Sequence, residues 1–440
     1  MKCRTILSRA PSRGTSLAAA DAIASVFDDL VAAGAAECAV DALSCTVVPR
    51  SRAALSLVLE RAQQKRLRVA IYGCGSKLTW VEPLNADVRL STRALDCLVE
   101  HAVGDLTVTV EAGVRWTELQ HVLAKTGQFV PLDPTYPDRA TVGGVVATAD
   151  SGSWRQRYGG VRDLAIGVEF VRADGQVAHA GGRVVKNVAG YDLTKLMVGS
   201  HGTLGAIALV TLRTYPLPDD SGTIALVGPA DAIARAAQWL RGSALTPTAA
   251  DLLSAGAVRA LELGTSGQGI DLGLLVRFES VAASVAQQCE RVAAVAQQLA
   301  VRAATFAGEG ERDLWARLPL LIHPPSSGLA VTCKIGVLPA EAIAFLARLS
   351  AEKECGIVRA GSGLGRLYLA SDDPIARLQE LRAQCEAGCG YLSLLEAPAE
   401  VLQRIGRWGY TGNALPLMRR LKHQFDPDDL LNSGCFVGGI

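Results

Sequence analysis

Glycine-rich clusters between residues 73 and 207 are the part of this sequence whose residue types and spacing indicate ligand binding. The clusters are residues 73–78, 141–152, 157–163 and 186–207. A glycine turn presents consecutive backbone N–H groups to an anion, and paired glycines let the backbone approach a phosphate or a flat ring. No cluster contains the Gly-Lys-Ser/Thr triplet of a magnesium-nucleotide loop. The ligand is therefore expected to be held mainly by backbone groups, without such a loop.

The spacing of these clusters argues against a dinucleotide-binding Rossmann fold. That fold needs Gly-x-Gly-x-x-Gly directly after its first strand and an acidic residue about twenty positions later. Residues 73–78 read Gly-Cys-Gly-Ser-Lys-Leu and lack the third glycine. The clusters instead recur every few tens of residues, which predicts one long ligand that crosses several loops.

The composition is typical of a globular protein with two domains. The chain has 440 residues, of which 49% are hydrophobic and 20% charged, and this length exceeds what a single core usually supports. Its net charge is +1, so it has no electrostatic footprint for nucleic acid or for an anionic membrane. No apolar run reaches the roughly 18 residues of a membrane-spanning helix.

The cysteines and histidines lack the spacing of a metal site. Eleven cysteines are scattered along the chain, and Cys385 and Cys389 are the only close pair. Zinc and iron–sulfur sites need additional ligands in register, and no two of the six histidines have ligand spacing. We therefore expect buried, reduced thiols in a cytoplasmic protein and no bound metal.

Hydrophobic periodicity predicts a strand–helix–strand opening followed by further strands in the first half of the chain. Ser51 is the expected N-cap of the first long helix, and Ala-Asp-Gly at residues 173–175 predicts a hairpin turn. The expected strands are residues 45–48, 69–71, 107–111, 167–172, 176–180 and 206–215, and the expected helices are residues 51–66 and 116–125. Pro216 and Pro218 then break the last strand, so we place a domain boundary at residue 218.

The second half alternates strands with alanine-rich helices, which predicts an α+β cap with one antiparallel sheet and helices on a face. The expected strands are residues 224–227, 273–278, 329–335 and 365–369, and the expected helices are residues 229–241, 281–299, 339–351 and 374–385. A last helix is expected over residues 413–426, with Met418 and Leu421 facing inward.

Four segments follow from this pattern. The first twenty residues carry four basic residues and no acid, and we expect a flexible N-terminal extension there rather than a transit peptide. The expected segments are the extension at residues 1–20, a ligand-binding domain at residues 21–218, the cap at residues 219–410 and a C-terminal segment at residues 411–440.

The four clusters in this order resemble the PCMH-type FAD domain of the vanillyl-alcohol-oxidase family. Residues 73–76 look like that family's Gly-Gly-Gly-Ser/Thr pyrophosphate loop, and residues 141–148 like its Thr-x-Gly-Gly-x-x-Ala-Thr segment along the flavin. Residues 157–163 and 186–205 look like its two later motifs, and residues 425–434 like its closing Asp-Pro … Leu-Asn-Pro-Gly. The resemblance implies an FAD domain of two α/β subdomains, an α+β cap and a C-terminal segment that returns to the FAD domain.

The resemblance also implies which residues bind the cofactor. Members of the family often tether FAD through a histidine or cysteine, but Tyr158 stands at that position here, so non-covalent FAD is expected. The implied FAD-binding residues are Gly73, Cys74, Gly75, Ser76, Lys77, Leu78, Thr141, Val142, Gly143, Gly144, Ala147, Thr148, Ser151, Tyr158, Gly159, Gly205, Ile207 and Asn432.

Three further stretches resemble the smaller FAD-binding subunits of bacterial glycolate oxidases: residues 186–197, 418–432 and 436–440. This resemblance implies oxidation of glycolate, a 2-hydroxy acid, to glyoxylate, with electrons passed through the flavin to an iron–sulfur partner. It implies a second flavin subunit and an iron–sulfur subunit as partners. It also implies a cytoplasmic location with membrane contact only through those subunits.

Catalytic residues are less clearly indicated than cofactor residues. Hydride transfer from a 2-hydroxy acid needs a base for the hydroxyl proton and a cation for the carboxylate. Arg317 and Arg366 are the candidate cations, and His323 and Tyr368 are the candidate bases; His201 is expected to be structural. Two alternatives stay open: a self-sufficient FAD-dependent D-2-hydroxy-acid dehydrogenase of the D-lactate type, and a non-catalytic assembly subunit with a flavin fold.

Overall fold

The structure is a computed structural model that describes residues 17–440 except 42–43, 82–84, 183–189, 265–270, 324–329, 372 and 411. The first sixteen residues of the predicted N-terminal extension therefore lie outside the described residues. The same holds for the Lys-Asn start of the fourth glycine cluster. Helix α1 (Leu17–Ala24) begins within the range predicted to be flexible, so ordered structure starts earlier than expected.

A mixed four-stranded sheet forms the first layer of residues 21–218. The FAD domain is predicted there, and we call this part of the chain the FAD-domain region. Its strands are β1 (Ala36–Val40), β2 (Cys45–Pro49), β3 (Val69–Tyr72) and β4 (Val88–Ser91), in the order β1-β2-β4-β3. Helix α3 (Arg52–Gln64) connects β2 to β3, and both strands run parallel to β4. Ser51 caps α3 by accepting a hydrogen bond from the Ala54 amide at 3.1 Å. This is the predicted strand–helix–strand opening.

A five-stranded antiparallel sheet forms the second layer, in the order β5-β6-β10-β8-β9. Its strands are β5 (Leu98–Ala102), β6 (Thr107–Glu111), β8 (Ala165–Val171), β9 (Val177–Gly181) and β10 (Ala206–Arg213); β7 (Gln128–Phe129) pairs separately with β11 (Tyr215–Pro216). The helices of this region are α2 (Asp28–Ala32), α4 (Trp116–Ala124), α5 (Val142–Thr148), α6 (Arg155–Tyr158), α7 (Val161–Leu164) and α8 (Leu193–Met197). The predicted hairpin is β8–β9, and Gly175 in its turn adopts a φ of +79°.

The cap is one eight-stranded antiparallel sheet, in the order β15-β12-β14-β13-β17-β18-β16-β19. Its strands are β12 (Asp220–Pro229), β13 (Ala249–Leu253), β14 (Asp271–Ser280), β15 (Arg302–Ala307), β16 (Val331–Gly336), β17 (Glu354–Arg359), β18 (Leu364–Leu369) and β19 (Tyr391–Glu396). The antiparallel sheet agrees with the prediction, but β13, β15, β17 and β19 were not expected. These four strands have only five or six residues each. In the sequence, their alternation of apolar and polar residues is too brief to be distinguished from the pattern of the adjacent helices.

Helices cover both faces of the cap sheet. They are α9 (Ala230–Gly242), α10 (Ala255–Ala260), α11 (Ala282–Gln298), α12 (Gly308–Arg317), α13 (Ala342–Leu346), α14 (Pro374–Ala387) and α15 (Ala399–Ile405). Helix α13 covers only part of the helix predicted over residues 339–351. The larger core includes residues of α9, α11, α13 and α14, and a smaller core on the other face includes residues of α10 and α12.

Alternation along β18 sets which side chains face the FAD-domain region. Leu367 and Leu369 belong to the larger core, whereas Tyr368 packs against the smaller one. Because successive side chains of a strand point to opposite faces, Arg366 lies on the same face as Tyr368. This face meets the FAD-domain region, and Arg366 consequently contacts residues 135 and 150 there.

The C-terminal segment returns to the first sheet, where Leu431 bridges Val69. Helix α16 (Leu415–Phe425) precedes it, and its buried residue is Lys422. Met418 and Leu421, which were expected to face inward, are half-buried, whereas residues 416, 417, 419 and 420 are exposed. The Lys422 ammonium instead donates to the carbonyls of Thr203 (3.0 Å) and Leu431 (2.7 Å). No helix in the described part of the chain is both long and apolar enough to cross a bilayer.

Candidate functional site

A cleft lies where the end of β3, helix α5, the start of β10 and the C-terminal segment meet. Fourteen of the eighteen predicted FAD-binding residues line it: Gly73, Cys74, Gly75, Ser76, Lys77, Leu78, Thr141, Gly143, Gly144, Ala147, Thr148, Gly205, Ile207 and Asn432. Further lining residues outside the predicted set are Ile71, Tyr72, Val81, Thr92, His201 and Gly202. Residues of the first, second and fourth glycine clusters thus line one cleft, whereas no residue of the third cluster does.

Unused backbone donors mark the loop between Tyr72 and Leu78 as an anion site. The amides of Gly75, Ser76 and Lys77 donate no hydrogen bond to any residue that the structure describes. Gly75 has a φ of +76°, which turns the chain so that successive N–H groups face one concave surface. A Cβ at Gly73 would lie 2.1 Å from Thr141 Oγ1, so only glycine fits there.

Helix α5 packs tightly against the end of β6. Thr141 is its N-cap and accepts a hydrogen bond from the Gly144 amide at 3.2 Å. Thr148 donates back to the Gly144 carbonyl at 2.7 Å. A Cβ at Gly143 would lie 2.7 Å from the Cβ of Ala112. The glycine pair is therefore explained by close helix packing, which brings the wall of the cleft inward.

Asn432 closes the opposite wall. Its Oδ1 accepts a hydrogen bond from the Ile71 amide at 2.6 Å, and its Nδ2 donates to the His201 carbonyl at 2.6 Å. The buried Nδ1 of His201 has no hydrogen-bond partner among the described residues, and burial lowers the pKa of His201 to about 3. Free backbone amides at one wall and this orphaned nitrogen at the other fit a ligand with phosphate and heteroaromatic groups, such as FAD.

Four predicted FAD-binding residues do not line the cleft. Val142 belongs to the core beneath the sheet. Ser151 offers its carbonyl to Arg359 of the cap at 3.2 Å. Tyr158 packs edge-on against Phe129 and Tyr215, with ring centroids 5.9 and 5.0 Å away. Gly159 follows it, at the end of α6. These four residues were assigned because they belong to the family's motifs. The motifs include helical turns, and some residues of each turn face the core or the cap instead of the cleft.

A buried network of charges joins the cleft to the cap. The Asp150 carboxylate follows α5 and has a fully buried side chain. It accepts hydrogen bonds from Arg366 Nη2 and from the Thr135 amide (2.8 Å), and Lys77 Nζ lies 3.4 Å away. Burial opposes its ionisation, but the two cations more than offset this and lower the pKa of Asp150 to about 2. The Asp150 carboxylate is therefore charged at all ordinary pH values.

His323 continues this network inside the cap. Its Nε2 lies 3.1 Å from Arg366 Nη1, and its Nδ1 lies 3.2 Å from the Tyr136 hydroxyl. Tyr136 donates to Glu396 at 2.7 Å, and Trp80 stacks on the imidazole at 6.0 Å between ring centroids. Burial lowers the pKa of His323, while Glu396 opposes that effect. A guanidinium can only donate, so Nε2 must accept and the proton of the neutral ring lies on Nδ1.

The structure separates the four predicted catalytic candidates into two groups. Arg366 and His323 lie together at the junction of the two domains. Arg317 lies at the end of α12, where it bonds the Ala260 carbonyl at 3.1 Å and is partly exposed. Tyr368 lies on the same face of β18 as Arg366 but packs on the smaller cap core. Neither of the latter two contacts the network.

Three further cap residues were not expected from the sequence. Lys334 of β16 is paired directly with Arg366 of β18 in the sheet register, and burial, reinforced by Arg366, lowers its pKa to about 8. Lys334 is half-buried, and its ammonium has no hydrogen bond or ion pair within the described ranges. Glu396 ends β19, and Arg359 ends β17. Only the cross-strand register reveals this grouping, because the three residues are far apart in the sequence.

A cavity of about 950 Å³ adjoins the network on the cap side. It is lined by loop 132–139, the start of α4, residues 152–154, seven residues between 315 and 323, and three residues of β17 and β18. His323, Arg359 and Arg366 form its polar end. No group of three histidine, cysteine, aspartate or glutamate side chains that could hold a metal was found among the described residues.

Comparisons with known proteins agree with the geometry of the cleft. Residues 43–181 match the family FAD_binding_4, described as an FAD binding domain. The chain is 37% identical over 188 residues to the mitochondrial D-lactate dehydrogenase [cytochrome] of Arabidopsis thaliana, covering 42% of this chain and 32% of the relative. It is 32% identical over 183 residues to glycolate oxidase subunit GlcE of Escherichia coli, covering 41% of this chain and 52% of the relative. The chain thus spans about a third to a half of the length of these curated relatives.

A comparison of structures covers more of the molecule. The substrate-bound crystal structure of p-cresol methylhydroxylase matches with a TM-score of 0.69 at 14% identity, over 92% of both chains. This likeness shows the fold and confirms the predicted α+β class with its antiparallel cap. Residues 43–181 therefore match an FAD-binding domain, and the chain as a whole has the fold of p-cresol methylhydroxylase.

Proposed function

We propose that this chain is an FAD-dependent dehydrogenase of 2-hydroxy acids that works as the FAD-binding subunit of a glycolate-dehydrogenase-type assembly. In this role it oxidises glycolate to glyoxylate and passes the electrons to an iron–sulfur partner. The observation that carries the proposal is the junction of Arg366 and His323 between the FAD cleft and the cap cavity. Relatives named D-lactate dehydrogenase and glycolate oxidase subunit support the class of substrate.

His323 is the proposed general base. The lone pair of Nε2 accepts from Arg366, so Nε2 can take the substrate's hydroxyl proton once the substrate hydroxyl replaces the Arg366 N–H at that nitrogen. The lowered pKa keeps the ring neutral, and therefore basic, at neutral pH. Once protonated, the imidazolium lies with Nδ1 3.8 Å from Glu396 Oε1, which stabilises its charge. A base with an adjacent carboxylate is thus built from residues 323 and 396.

Lys334 and Arg366 are the proposed partners of the substrate carboxylate. They are paired across β16 and β18 on the face of the sheet that meets the FAD-domain region. Arg366 already bonds Asp150 and Thr135 through its terminal nitrogens, so its charge is largely balanced. Lys334 has no direct ion pair among the described residues, and a half-buried ammonium gains from an anionic ligand that replaces its lost hydration. The carboxylate is therefore held by Lys334, with Arg366 in support.

FAD bound in the cleft would supply the acceptor for the hydride that leaves the α-carbon of the substrate. Gly75, Ser76 and Lys77 would hold its pyrophosphate through their free amides. Non-covalent binding fits the position of Tyr158, which packs in an aromatic cluster away from the cleft. The chain thus contributes cofactor binding, a proton acceptor and an anion site.

The test is the colour of the purified chain and its response to glycolate without oxygen. A yellow protein with a flavin spectrum is expected, and its 450 nm band should bleach in the presence of glycolate once the partner subunits are added. Co-purification of an iron–sulfur protein would support the assembly. A colourless protein that takes up no FAD would overturn the proposal in favour of a non-catalytic assembly subunit.

A second candidate is a self-sufficient dehydrogenase of the D-lactate type. The observation that favours it is that the base, the anion site and the cavity all lie within one chain. Bleaching of the isolated chain by D-lactate, at a rate that partner subunits leave unchanged, would select this candidate. Bleaching that requires the partners would select the first.

A further inference from the structure

The cap cavity is much larger than glycolate requires. At about 950 Å³ it has room for about thirty water molecules, given a share of about 30 Å³ for each. This volume lies at the upper end of the range, about 300–1,000 Å³, of pockets that hold drug-sized ligands. A five-atom acid at His323 would leave most of this space without a partner.

The walls of the cavity away from His323 are apolar and aromatic. Trp116, Trp154 and Trp315 line it together with Leu132, Leu318 and Ile322. Trp315 donates its indole N–H to Thr223 at 2.8 Å, so its polar atom is already satisfied. Aromatic and branched walls of this kind favour hydrocarbon over water.

The aromatic wall is held in place from behind. The Arg277 guanidinium packs 6.0 Å from the ring centroid of Trp154 and 5.4 Å from that of Trp315. Arg277 in turn donates to the fully buried Glu311 at 3.0 Å. Because both rings pack on one fixed guanidinium, the cavity is preformed and its shape does not depend on a ligand.

Arg359 and Arg366 lie at the opposite end of the cavity, beside His323. Arg359 donates to the Gly152 carbonyl at 2.9 Å, and Arg366 bonds Thr135 at 2.5 Å and is paired across the sheet with Lys334, the proposed partner of the substrate carboxylate. An apolar chamber that ends beside Lys334 and Arg366 matches an amphiphilic acid, with the carboxylate at these two residues and the hydrocarbon in the chamber. Neither a small acid nor a neutral apolar molecule would use both ends.

We propose that the cavity holds the apolar side chain of the substrate, so that 2-hydroxy acids with a medium-length alkyl or aromatic side chain bind more tightly than glycolate, which the same site also oxidises. This inference rests on the function proposed above and names its substrate class. Each additional methylene buried in the cavity is expected to improve binding about fourfold. 2-Hydroxyoctanoate has five more methylenes than lactate. We therefore expect it to half-saturate flavin reduction at a concentration at least 100-fold lower than the concentration of lactate that does so.

The experiment measures anaerobic flavin bleaching by lactate, phenyllactate and 2-hydroxyoctanoate, with the chain in whichever form, alone or with partners, reduces its flavin. The cavity is then narrowed by Ala316→Trp, at an exposed residue of its rim. The matched control is Ala124→Trp, at an exposed alanine of α4 outside the cavity. Ala316→Trp should raise the concentration of 2-hydroxyoctanoate that half-saturates bleaching at least tenfold and leave that for lactate unchanged. Ala124→Trp should change neither concentration.

Calorimetric binding of octanoate, which cannot be oxidised at a hydroxyl, separates the two proposals. Octanoate binding that Ala316→Trp weakens, without bleaching by any 2-hydroxy acid, would support the cavity as an apolar-acid site and overturn the dehydrogenase function. Bleaching by lactate as effective as by 2-hydroxyoctanoate, with no octanoate binding, would overturn the inference and leave the proposed function standing. Preference for 2-hydroxyoctanoate together with octanoate binding supports both.

Discussion

The FAD cleft and the charged junction beside it are held by different kinds of interaction. The cleft is built from backbone groups, tight glycines and one amide side chain, drawn from three stretches that each form a short local motif. The junction is built from the charged side chains of residues 77, 150, 366 and 396 and from the neutral imidazole of His323, and these residues come from separate segments. Local chain geometry therefore defines the cleft, whereas the packing of the cap on the FAD domain defines the junction.

This difference determines how each region should fail. A substitution in the cleft causes a steric conflict that the surrounding loop can partly relieve, so its cost is moderate. A substitution in the junction leaves a buried charge without its partner, and no relaxation of the backbone replaces that charge. The junction should therefore be the more sensitive of the two regions.

The largest effect is expected for Arg366→Ala. It leaves the fully buried Asp150 carboxylate with Lys77 as its remaining cation, and breaking a buried pair typically costs about 3–5 kcal/mol. Chemical denaturation should show this loss in the free energy of unfolding, and flavin bleaching should disappear. The control is Arg317→Ala, whose partly exposed ion pairs predict a change below about 1 kcal/mol. Equal losses in the two variants would contradict a special role for the junction.

His323→Gln tests chemistry at the junction with less effect on stability. Glutamine can still bond Arg366 and Tyr136 but cannot accept a proton at neutral pH. Loss of a general base predicts a fall in kcat/KM of roughly 100-fold or more, which anaerobic stopped-flow measurements of bleaching would detect. The flavin spectrum should be unchanged, because residue 323 does not line the cleft. A variant with the rate of the wild type would remove His323 from the mechanism.

Gly73→Ala tests the cleft. The new Cβ would lie 2.1 Å from Thr141 Oγ1, so the loop or α5 must shift, at a typical cost of about 1–3 kcal/mol. Weaker FAD binding by roughly ten- to 100-fold follows, and titration of the apoprotein with FAD would measure it. Gly104→Ala is the control, because no atom lies within 4 Å of its added Cβ. Unchanged FAD affinity in Gly73→Ala would place the pyrophosphate elsewhere.

Asn432→Ala tests a residue that shares features of both regions. It lies in the cleft, but its side chain holds the backbone of two other segments. The substitution removes the two 2.6 Å hydrogen bonds to the Ile71 amide and the His201 carbonyl. Loss of buried hydrogen bonds predicts a decrease in the free energy of unfolding of about 1–3 kcal/mol. The decrease should be larger with FAD present than without it, since the ligand stabilises the closed cleft. Identical decreases in the free energy of unfolding with and without FAD would show that Asn432 does not contribute to cofactor binding.

The same contrast explains what the sequence could reveal. Gly73, Gly143 and Thr148 stand in short motifs whose spacing reflects one turn and one helix, so the cleft was predictable from consecutive residues. Lys334 and Glu396 belong to strands whose pairing is visible only in three dimensions. Lys422 was missed for another reason: hydrophobic periodicity cannot anticipate a buried ammonium that is satisfied by two carbonyls and a carboxylate.

The smallest effect is expected for Glu396→Gln, and it appears in the pH profile. Glutamine keeps a carbonyl oxygen that can accept from Tyr136 and Trp80, as Glu396 does now at 2.7 and 3.1 Å. The hydrogen bonds therefore survive, and only the negative charge is lost. Burial lowers the pKa of His323, and Glu396 opposes this effect. Removing the carboxylate must lower the pKa of His323 further.

The sign of the shift follows from the role of the base. The wild type is active when His323 is neutral, so its bleaching rate falls as the pH drops through the pKa of that ring. In Glu396→Gln this fall should occur at lower pH, while the rate at high pH decreases less than in His323→Gln. A profile measured by stopped flow that moves to higher pH, or does not move, would show that the ring does not titrate as the base. The junction would then be a structural charge network, and its contrast with the cleft would concern stability alone.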